Sequence, residues 1–264
     1  MDNFINHDGT KVFFSDNGNG KPVVFLHGYL ESKEIWNDLI TSLKNRFRII
    51  AIDLPGHGKT GVFSDVHTMD FMAEIVKKVL NHLKIQSCYI TGHSMGGYVA
   101  LAFAEKYSEM ISGLCLFHSH PFSDGADKKE SRLKEVELIE NGKKDLIYKV
   151  SIPNLYADEN LEKLKDKLQF SMNTAFATPA EGVTAALKGM RARRDKSEVL
   201  YKLRNKSFLI IGKKDNLIPC EKLIDLAEKH NLEHALLENS GHMGFFEEPA
   251  ETLRIMNNIL KKYE

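Results

Sequence analysis

The chain has 264 residues, of which 42% are hydrophobic and 27% are charged, which is the composition of an ordinary globular protein. Its 36 basic side chains balance 36 acidic ones, so its overall charge gives no reason to expect nucleic acid or an anionic membrane as a partner. No apolar run approaches the roughly 20 residues of a membrane-spanning helix, and no signal-peptide pattern opens the chain. We therefore expect a cytoplasmic protein that binds neither membrane nor nucleic acid.

Short apolar runs of strand-like composition alternate with amphipathic helical patterns along most of the chain. Near-continuous apolar strands separated by helices are typical of an α/β protein whose mostly parallel sheet is covered by helices on both faces. The early stretch "KVFFSDNGNGKPVVFLH" has a turn-rich centre and predicts an antiparallel hairpin at one edge of this sheet. Later strand-like runs begin at Arg48, Cys88, Ile111 and Ser207, and the last one reads "HALLEN".

One segment interrupts this alternation. Between residues 120 and 194 we predict no strand, and the composition becomes charged and helical. Roughly 75 residues are too many for a loop within a compact domain. We therefore predict an α/β core formed by residues 1–119 and 195–264, with residues 120–194 inserted as a helical cap.

The three cysteines, Cys88, Cys115 and Cys220, are widely spaced and form no C-x-x-C pattern, so we expect neither a zinc site nor a redox dithiol. Cys88 and Cys115 lie in apolar runs, where a free cysteine behaves as a small buried hydrophobic residue. The sequence also has no metal-ligand cluster and no dinucleotide-binding fingerprint. We expect reduced thiols, no metal and no cofactor.

A lone serine stands on a tight turn in "SCYITGHSMGGYVALAFAEKY", between a predicted strand and a predicted helix. Such a turn lifts the hydroxyl of Ser94 above the sheet edge and places the next backbone N–H at a helix N-terminus, where a negative oxygen is favoured. The turn strains the serine by roughly 1–3 kcal/mol, and the neighbouring Gly92 and Gly96 relieve the crowding. Ser94 is therefore a candidate nucleophile, provided that a base removes its proton.

The base is expected to be a histidine, and we select His242 from the 11 histidines of the chain. It lies in "ENSGHMGFFEEP", on a glycine-flanked loop directly after the last predicted strand, where loops of α/β sheets carry catalytic residues. By contrast, His7, His67, His82 and His230 lie in polar or helix-end contexts, and we expect water to solvate them.

A carboxylate should orient this histidine, and in this chain order it should lie between the serine and the histidine. Asp215 in "FLIIGKKDNLIP" meets the requirement, because it follows an apolar strand and lies in a turn closed by Pro219. An ordinary turn aspartate is the alternative interpretation of this residue. Asp124, early in the predicted cap, is the reserve candidate.

Attack on a carbonyl creates a negative oxygen, which needs hydrogen-bond donors. The backbone N–H of Met95, directly after the serine, is one candidate. The second is the N–H of Tyr29 in "VFLHGYLES", where Gly28 permits a close approach of the backbone. We expect His27 to be structural, because the chemistry at this point needs the backbone.

Five motifs, in this order, give the chain a resemblance to the α/β-hydrolase fold superfamily, in its subgroup of small esterase-like enzymes with a helical cap. The resemblance implies that Ser94 is the nucleophile, His242 the general base and Asp215 the orienting acid. It also implies that the N–H groups of Tyr29 and Met95 form the oxyanion hole. The motifs are "HGY" at 27–29, "DLPGHGKT" at 53–60, "GHSMGG" at 92–97, "GKKDNLIP" at 212–219 and "SGHMGFFEEP" at 240–249.

The resemblance implies a serine hydrolase that cleaves a small ester or thioester through an acyl-enzyme on Ser94, as a carboxylesterase does. Relatives that dehalogenate or open epoxides have aspartate at this position, so we do not expect those reactions. Two alternatives stay open: cleavage of a C–C bond or a lyase step with the same triad, and a receptor that binds a ligand in the pocket. The expected partner is the small-molecule substrate, and a homodimer is also left open.

The cap should determine the substrate, and there the sequence is least informative. We interpret the basic cluster "RARRDK" at 191–196 as a solvated helix end, with binding of an acidic substrate as the alternative. Four apolar cap residues could line an acyl pocket, but packing of the cap on the core is the default for residues at helical spacing. These four residues are Phe170, Met172, Phe176 and Leu187.

Overall fold

Eight strands form one mixed sheet in the order β1-β2-β4-β3-β5-β6-β7-β8 in the computed structural model, which describes residues 2–263. Neighbouring strands from β4 to β8 in this order are parallel to each other. The pairs β1–β2 and β2–β4 are antiparallel. The predicted mostly parallel sheet with an antiparallel N-terminal edge is therefore confirmed. The strands are β1 Asn3–His7, β2 Thr10–Asn17, β3 Lys21–Leu26, β4 Phe47–Ile52, β5 Cys88–His93, β6 Ile111–Phe117, β7 Ser207–Gly212 and β8 Glu233–Leu237.

Helices follow most of the strands and fill the segment between β6 and β7. None of the helices within residues 2–263 is both long enough and apolar enough to cross a membrane. The helices are α1 Asn37–Leu43, α2 Met69–His82, α3 Met95–Lys106, α4 Ala126–Glu140, α5 Lys144–Ser151, α6 Lys165–Ala177, α7 Ala180–Ala192, α8 Ser197–Lys202, α9 Cys220–His230, α10 Gly244–Glu247 and α11 Pro249–Lys261.

The hairpin at the antiparallel edge differs from the one that the sequence predicted. β2 pairs with β1 and β4 rather than with β3, and Phe14 lies opposite both Asn3 and Ile52. Asp8 and Gly9 join β1 to β2, and their φ angles of 49° and 80° are those of a tight hairpin turn. Because β4 lies between β2 and β3, the Asn-Gly-Asn-Gly turn connects two strands that are not neighbours.

The sheet is buried on both faces. Alternate residues of one strand point to opposite sides, so Val24 and Leu26 belong to the core under α2 and α3, whereas Val23 and Phe25 belong to the core under α1 and α11. This burial explains the near-continuous apolar strands of the sequence.

Parallel strands end at one edge of a sheet, so the segments after β3, β5, β7 and β8 meet there. The segment after β3 carries Tyr29, and the turn after β5 carries Ser94. Asp215 follows β7, and His242 follows β8. The topology thus gathers the residues that the sequence analysis selected from four separate parts of the chain.

Helices α4 to α7 occupy the segment in which no strand was predicted, and no strand occurs between residues 118 and 206. The last of them, α7, contacts the loop after β4 backbone to backbone. A Cβ atom on Gly182 would lie 2.2 Å from the carbonyl oxygen of Gly56, and one on Gly189 would lie 1.8 Å from that of His67. The N–H of His67 also donates to the carbonyl of Ala185 at 3.0 Å. The division into core and cap at the expected boundaries stays a prediction.

Cys88, Cys115 and Cys220 are all buried, and within the described part of the chain none forms a disulfide. Burial raises the pKa of the Cys88 thiol to about 12. A thiol with so high a pKa is protonated and unreactive, in keeping with the apolar run in which the sequence places Cys88.

Candidate active site

Ser94 lies between the end of β5 and the start of α3, in a strained backbone conformation. Its φ of 49° and ψ of −115° fall in a region that residues with a Cβ rarely adopt. Neighbouring segments hold the residue on both sides, since its N–H donates to the carbonyl of Phe117 at 3.0 Å and the hydroxyl of Ser119 donates to its carbonyl at 2.7 Å. Strain of this kind persists where the surroundings impose it, and it is concentrated at functional sites.

Two glycines make room for this turn, as the sequence predicted. A Cβ on Gly92 would lie 2.2 Å from the carbonyl oxygen of Gly96, and a Cβ on Gly96 would lie 2.4 Å from that of Leu26. Either side chain would push the strand and the helix apart. The glycines therefore set the distance between β3, β5 and α3 that the turn requires.

Asp215 and His242 form a hydrogen-bonded pair at the same sheet edge. Nδ1 of His242 lies 2.6 Å from Oδ2 of Asp215, and each side chain is only 2% exposed. The other carboxylate oxygen of Asp215 accepts the N–H groups of Leu217 and Ile218 at 2.8 and 3.0 Å, which fixes its orientation. Asp215 thus closes its own turn and contacts the histidine. Nε2 of His242 has no hydrogen-bond partner within residues 2–263.

The two groups of this pair favour opposite charges. Burial alone would raise the pKa of Asp215, but the charge of His242 and its hydrogen bond lower it to about 2. Burial alone would lower the pKa of His242, but the Asp215 carboxylate raises it above its usual 6.5. A second ring lies nearby, with Nδ1 of His118 3.8 Å from Oδ2 of Asp215. Burial holds the pKa of His118 well below its usual range, so this ring is neutral.

Asp124, the reserve candidate, is not bonded to His242. Its carboxylate accepts Nε of Arg132 at 2.6 Å and pairs with the guanidinium of Arg193 at 2.8 Å. Burial would raise the pKa of Asp124, but the two arginines lower it. Asp124 is therefore an ionised carboxylate bound by two arginines, and Asp215 is the carboxylate that contacts the histidine.

The backbone N–H groups of Tyr29 and Met95 are free for a ligand, since neither donates to a protein acceptor among residues 2–263. Met95 is the first residue of α3, so its N–H lies at a helix N-terminus. The segment before Tyr29 is held by Glu31, whose Oε2 accepts the N–H of Gly28 at 2.5 Å. His27 is fully buried, and its Nε2 accepts the N–H of Leu54 at 2.9 Å, in keeping with a structural role.

A second carboxylate–histidine pair, which the sequence analysis missed, lies under the first. Oε2 of Glu31 is 2.9 Å from Nδ1 of His93, and Nε2 of His93 is 2.8 Å from the backbone carbonyl oxygen of His242. Burial would raise the pKa of Glu31, but His93 lowers it. The position of His93 directly before Ser94 is the signal that could have suggested this role, since its side chain must enter the site region from the same turn.

One cavity of about 350 Å³ is lined by both Ser94 and His242. Its size is at the lower end of the range for small-molecule sites. Residues of the expected cap form much of its wall, including Asp124, Ile152 and Met190. The cavity therefore lies between the sheet edge and helices α4, α5 and α7.

Two sequence-based expectations about charged and polar side chains are wrong. His67 is fully buried rather than solvated, and its Nε2 accepts the N–H of Phe63 at 3.1 Å. The basic cluster at 191–196 is only partly a solvated helix end, because Arg193 and Lys196 are buried. Arg193 pairs with Asp124, and Lys196 bonds Glu105 at 2.5 Å. Partners distant in sequence compensate both charges.

The four apolar cap residues pack rather than line the cavity, since none of them is among its lining residues. Leu187 is fully buried in the core under α2 and α3, and Met172 and Phe176 pack against the same cluster. Phe170 packs on the ring of Phe246, with ring centroids 5.8 Å apart. The default interpretation of these residues agrees with the structure.

Comparison with known proteins identifies the fold. The family model described as alpha/beta hydrolase fold matches residues 21–249. A thermophilic esterase from Thermogutta terrifontis, solved with malate bound, has a TM-score of 0.93 and 28% identity, and the match covers 99% of this chain and 98% of that one. The pimeloyl-[acyl-carrier protein] methyl ester esterase of Aeromonas hydrophila subsp. hydrophila is 24% identical over 249 residues, which is 92% of this chain and 96% of that protein.

Other relatives are longer than the matched region. The dihydrolipoyllysine-residue acetyltransferase component of the acetoin cleaving system of Pseudomonas putida is 28% identical over 255 residues. The match covers 92% of this chain and 64% of that protein. Another curated relative is matched over only 40% of its own length.

Proposed function

The chain belongs to the alpha/beta hydrolase fold family, and we propose that it is a serine hydrolase that cleaves a small ester or thioester. In this proposal Ser94 is the nucleophile, His242 the general base and Asp215 the acid that orients it. The similarity to two esterases over nearly the full length of each supports an ester or thioester as the bond that is cleaved.

The observation that carries the proposal is a cavity lined by the candidate nucleophile and by a histidine that is bonded to the candidate acid. His242 is bonded to Asp215 through Nδ1, its Nε2 is unbonded within residues 2–263, and it lines the cavity together with Ser94. A histidine held in this way carries its hydrogen on Nδ1 and offers Nε2 as an acceptor, which is what a serine hydroxyl needs to become a nucleophile.

The reaction would proceed in two halves. Ser94 Oγ attacks the carbonyl carbon while its proton passes to Nε2 of His242, and the resulting oxyanion accepts the N–H groups of Tyr29 and Met95. The proton on His242 then passes to the departing alcohol or thiol, which leaves an acyl-enzyme on Ser94. Water then attacks this ester while His242 takes its proton. The tetrahedral intermediate that forms breaks down, which releases the acid and returns the proton to Ser94.

Residues 120–194 would act as the cap of this site. The positions of Asp124, Ile152 and Met190 in the cavity wall support this part of the proposal. The cap would then exclude bulk water and select the substrate, while the chemistry stays on the loops of the sheet.

Steady-state hydrolysis of p-nitrophenyl acetate, combined with covalent labelling by a fluorophosphonate, tests the proposal. We expect turnover, stoichiometric loss of activity on labelling, and a label on the peptide that contains Ser94. Ser123→Ala serves as the control, because Ser123 lines the same cavity but lies outside the turn that carries Ser94, and it should keep both turnover and labelling. Hydrolysis and labelling that persist in Ser94→Ala would contradict the proposal. Labelling of a protein that does not turn over any ester would favour the ligand receptor instead.

A further inference from the structure

One face of α4 gives the cavity a charged wall. Lys128, Arg132 and Glu135 all line the cavity, and their spacing of four and three residues places them on one side of the helix. The hydroxyl of Tyr29 donates to Oε1 of Glu135 at 2.9 Å. Because the backbone of Tyr29 belongs to the site around Ser94, this contact places the charged wall beside the reacting group.

The positive charges of this wall exceed the negative ones. The cavity lining includes the cations Lys128, Arg132 and Lys222 and the carboxylates Asp124 and Glu135. Asp124 is already bonded to two arginines, one of them Arg193, which lies outside the lining. Burial raises the pKa of the Glu135 carboxyl, against the lowering effect of its hydrogen bond with Tyr29.

Two of the lining cations, Lys128 and Lys222, have no carboxylate partner among residues 2–263, whereas Arg132 bonds Asp124. The ammonium group of Lys222 lies over the ring of Phe122 at 4.5 Å, so Lys128 is the cation left with neither an ion pair nor a hydrogen bond among those residues. Lys128 is exposed on the cavity wall, where partial burial and the neighbouring Arg132 lower the pKa of its ammonium group. The N-terminal turn of α4 adds to this environment, because Gly125 lines the cavity and the cap position has no side-chain hydrogen bond to the free N–H groups.

We propose that Lys128 and Arg132 form a subsite for a carboxylate, so that the substrate is a small ester carrying a second, ionised carboxyl group. This inference rests on the proposed function for the identity of the reacting group. Binding of a carboxylate at the subsite can nevertheless be measured without any reaction. A carboxylate there would supply the missing counterion of Lys128 and accept charge-assisted hydrogen bonds from both side chains. An uncharged ester of the same length would leave the ammonium group unpaired.

Calorimetric binding to Ser94→Ala tests the subsite without turnover. Monomethyl glutarate supplies the ester and the carboxylate, and methyl pentanoate is the neutral ester of equal chain length. We expect monomethyl glutarate to bind at least about tenfold more tightly than methyl pentanoate, and Lys128→Met to weaken its binding about tenfold. The matched control is Lys134→Met, on the same helix but outside the cavity lining, where the side chain is 67% exposed. It should leave both affinities unchanged.

Equal affinity for the two esters, or an unchanged affinity in Lys128→Met, would overturn the proposal. Tighter binding of inorganic phosphate than of monomethyl glutarate would also overturn it, because the subsite would then serve phosphate. The affinities are interpretable only if Lys128→Met is folded. The thermal unfolding of this variant is therefore measured alongside the binding.

Kinetics separate a failure of this inference from a failure of the proposed function. In the unsubstituted enzyme we expect kcat/KM for monomethyl glutarate to exceed that for methyl pentanoate by at least about tenfold, and Lys128→Met to reduce this ratio by about tenfold. Hydrolysis of the neutral ester without any preference for the charged one would contradict the subsite alone. Selective binding of monomethyl glutarate without hydrolysis of any ester would contradict the proposed function alone.

Discussion

The ring of His93 holds the backbone of His242 in place. Its Nε2 lies 2.8 Å from the His242 carbonyl oxygen, so this nitrogen carries a hydrogen. The other ring nitrogen is 2.9 Å from Oε2 of Glu31. Burial alone would raise the pKa of Glu31, but His93 lowers it, so this contact favours the ionised carboxylate. A buried carboxylate–histidine contact thus supports the loop that carries the base.

Glu31→Gln should therefore disturb both stability and turnover. The glutamine amide has no charge and one accepting oxygen instead of two, so the N–H of Gly28 and the ring of His93 lose the carboxylate that they share. We expect the free energy of unfolding in urea to fall by about 1–3 kcal/mol, and kcat/KM to fall roughly 10- to 100-fold through misplacement of His242. Glu34→Gln, at an exposed position three residues further on, is the control. A change in unfolding free energy no larger than that of the control would show that this contact does not support the loop.

Replacement of Ser94 separates chemistry from strain. Ser94→Ala should lower kcat by about 10⁴–10⁶ with little change in stability, because it removes the nucleophile and keeps a Cβ at the strained position. Ser94→Gly should be equally inactive but unfold at a higher temperature than Ser94→Ala, since glycine adopts a φ of 49° without a steric penalty. If either variant kept half of the original rate, Ser94 would not be the nucleophile. Equal unfolding temperatures of Ser94→Ala and Ser94→Gly would argue against backbone strain at this residue.

Asp215→Asn and Asp124→Asn should have different consequences. Asp215→Asn should lower kcat roughly 10⁴-fold, because the wrong tautomer of His242 is favoured. Asp124→Asn leaves two arginines without their shared carboxylate, so we expect it to lower stability by about 1–3 kcal/mol while reducing the rate on a neutral ester far less. Urea unfolding and steady-state kinetics of both variants provide the comparison. If Asp124→Asn lost more activity than Asp215→Asn, the acid that orients His242 would be Asp124 instead.

The pH dependence of kcat/KM should follow the ionisation of His242. The neutral ring accepts the serine proton, so activity is lost as the pH falls through the histidine's pKa, which Asp215 raises above 6.5. In Asp215→Asn the raising charge is gone while burial remains, so the residual activity should lose its acidic limb at a lower pH than in the unsubstituted enzyme. An acidic limb at the same pH in both proteins would mean that another group, or a step other than proton transfer, limits the rate.

Several buried histidines should make the fold sensitive to acid. Burial lowers the pKa of His57 and of His120 to about 3, and it also lowers the pKa of His27 and His118. Between these values and about 6.5 the unfolded chain binds more protons than the folded one, so stability falls as the pH falls below about 6.5. His242, whose pKa is raised, opposes this trend.

Urea unfolding between pH 7 and pH 5 measures this slope. His57→Asn should reduce the dependence by up to about 1.4 kcal/mol per pH unit. His234→Asn, at an exposed position, should leave it unchanged. A free energy of unfolding that stays constant between pH 7 and pH 5 would contradict the prediction.

Local pattern was sufficient to predict the parallel sheet and to select Ser94, Asp215 and His242, because each follows an apolar strand and parallel strands end together. The pairing partner of β2 was not predictable in the same way, since β4 enters between β2 and β3 only through a long-range crossover. The burial of Arg193 also escaped prediction. A charged residue is buried when a distant carboxylate compensates it, and Asp124 lies 69 positions earlier in the numbering of the chain.

The glycine contacts of α7 hold one part of the cavity wall close to the core. Gly182 and Gly189 bring this helix against the backbone of the loop after β4, so Met190 lies on a helix with no space to move toward the core. Ser151 and Ile152, at the end of α5, form another part of the wall, and Tyr148 is the one buried side chain among the eight residues of that helix. Entry of substrate and exit of product would therefore depend more on α5 than on α7, and substitutions in α5 would alter exchange rates without touching the reacting groups.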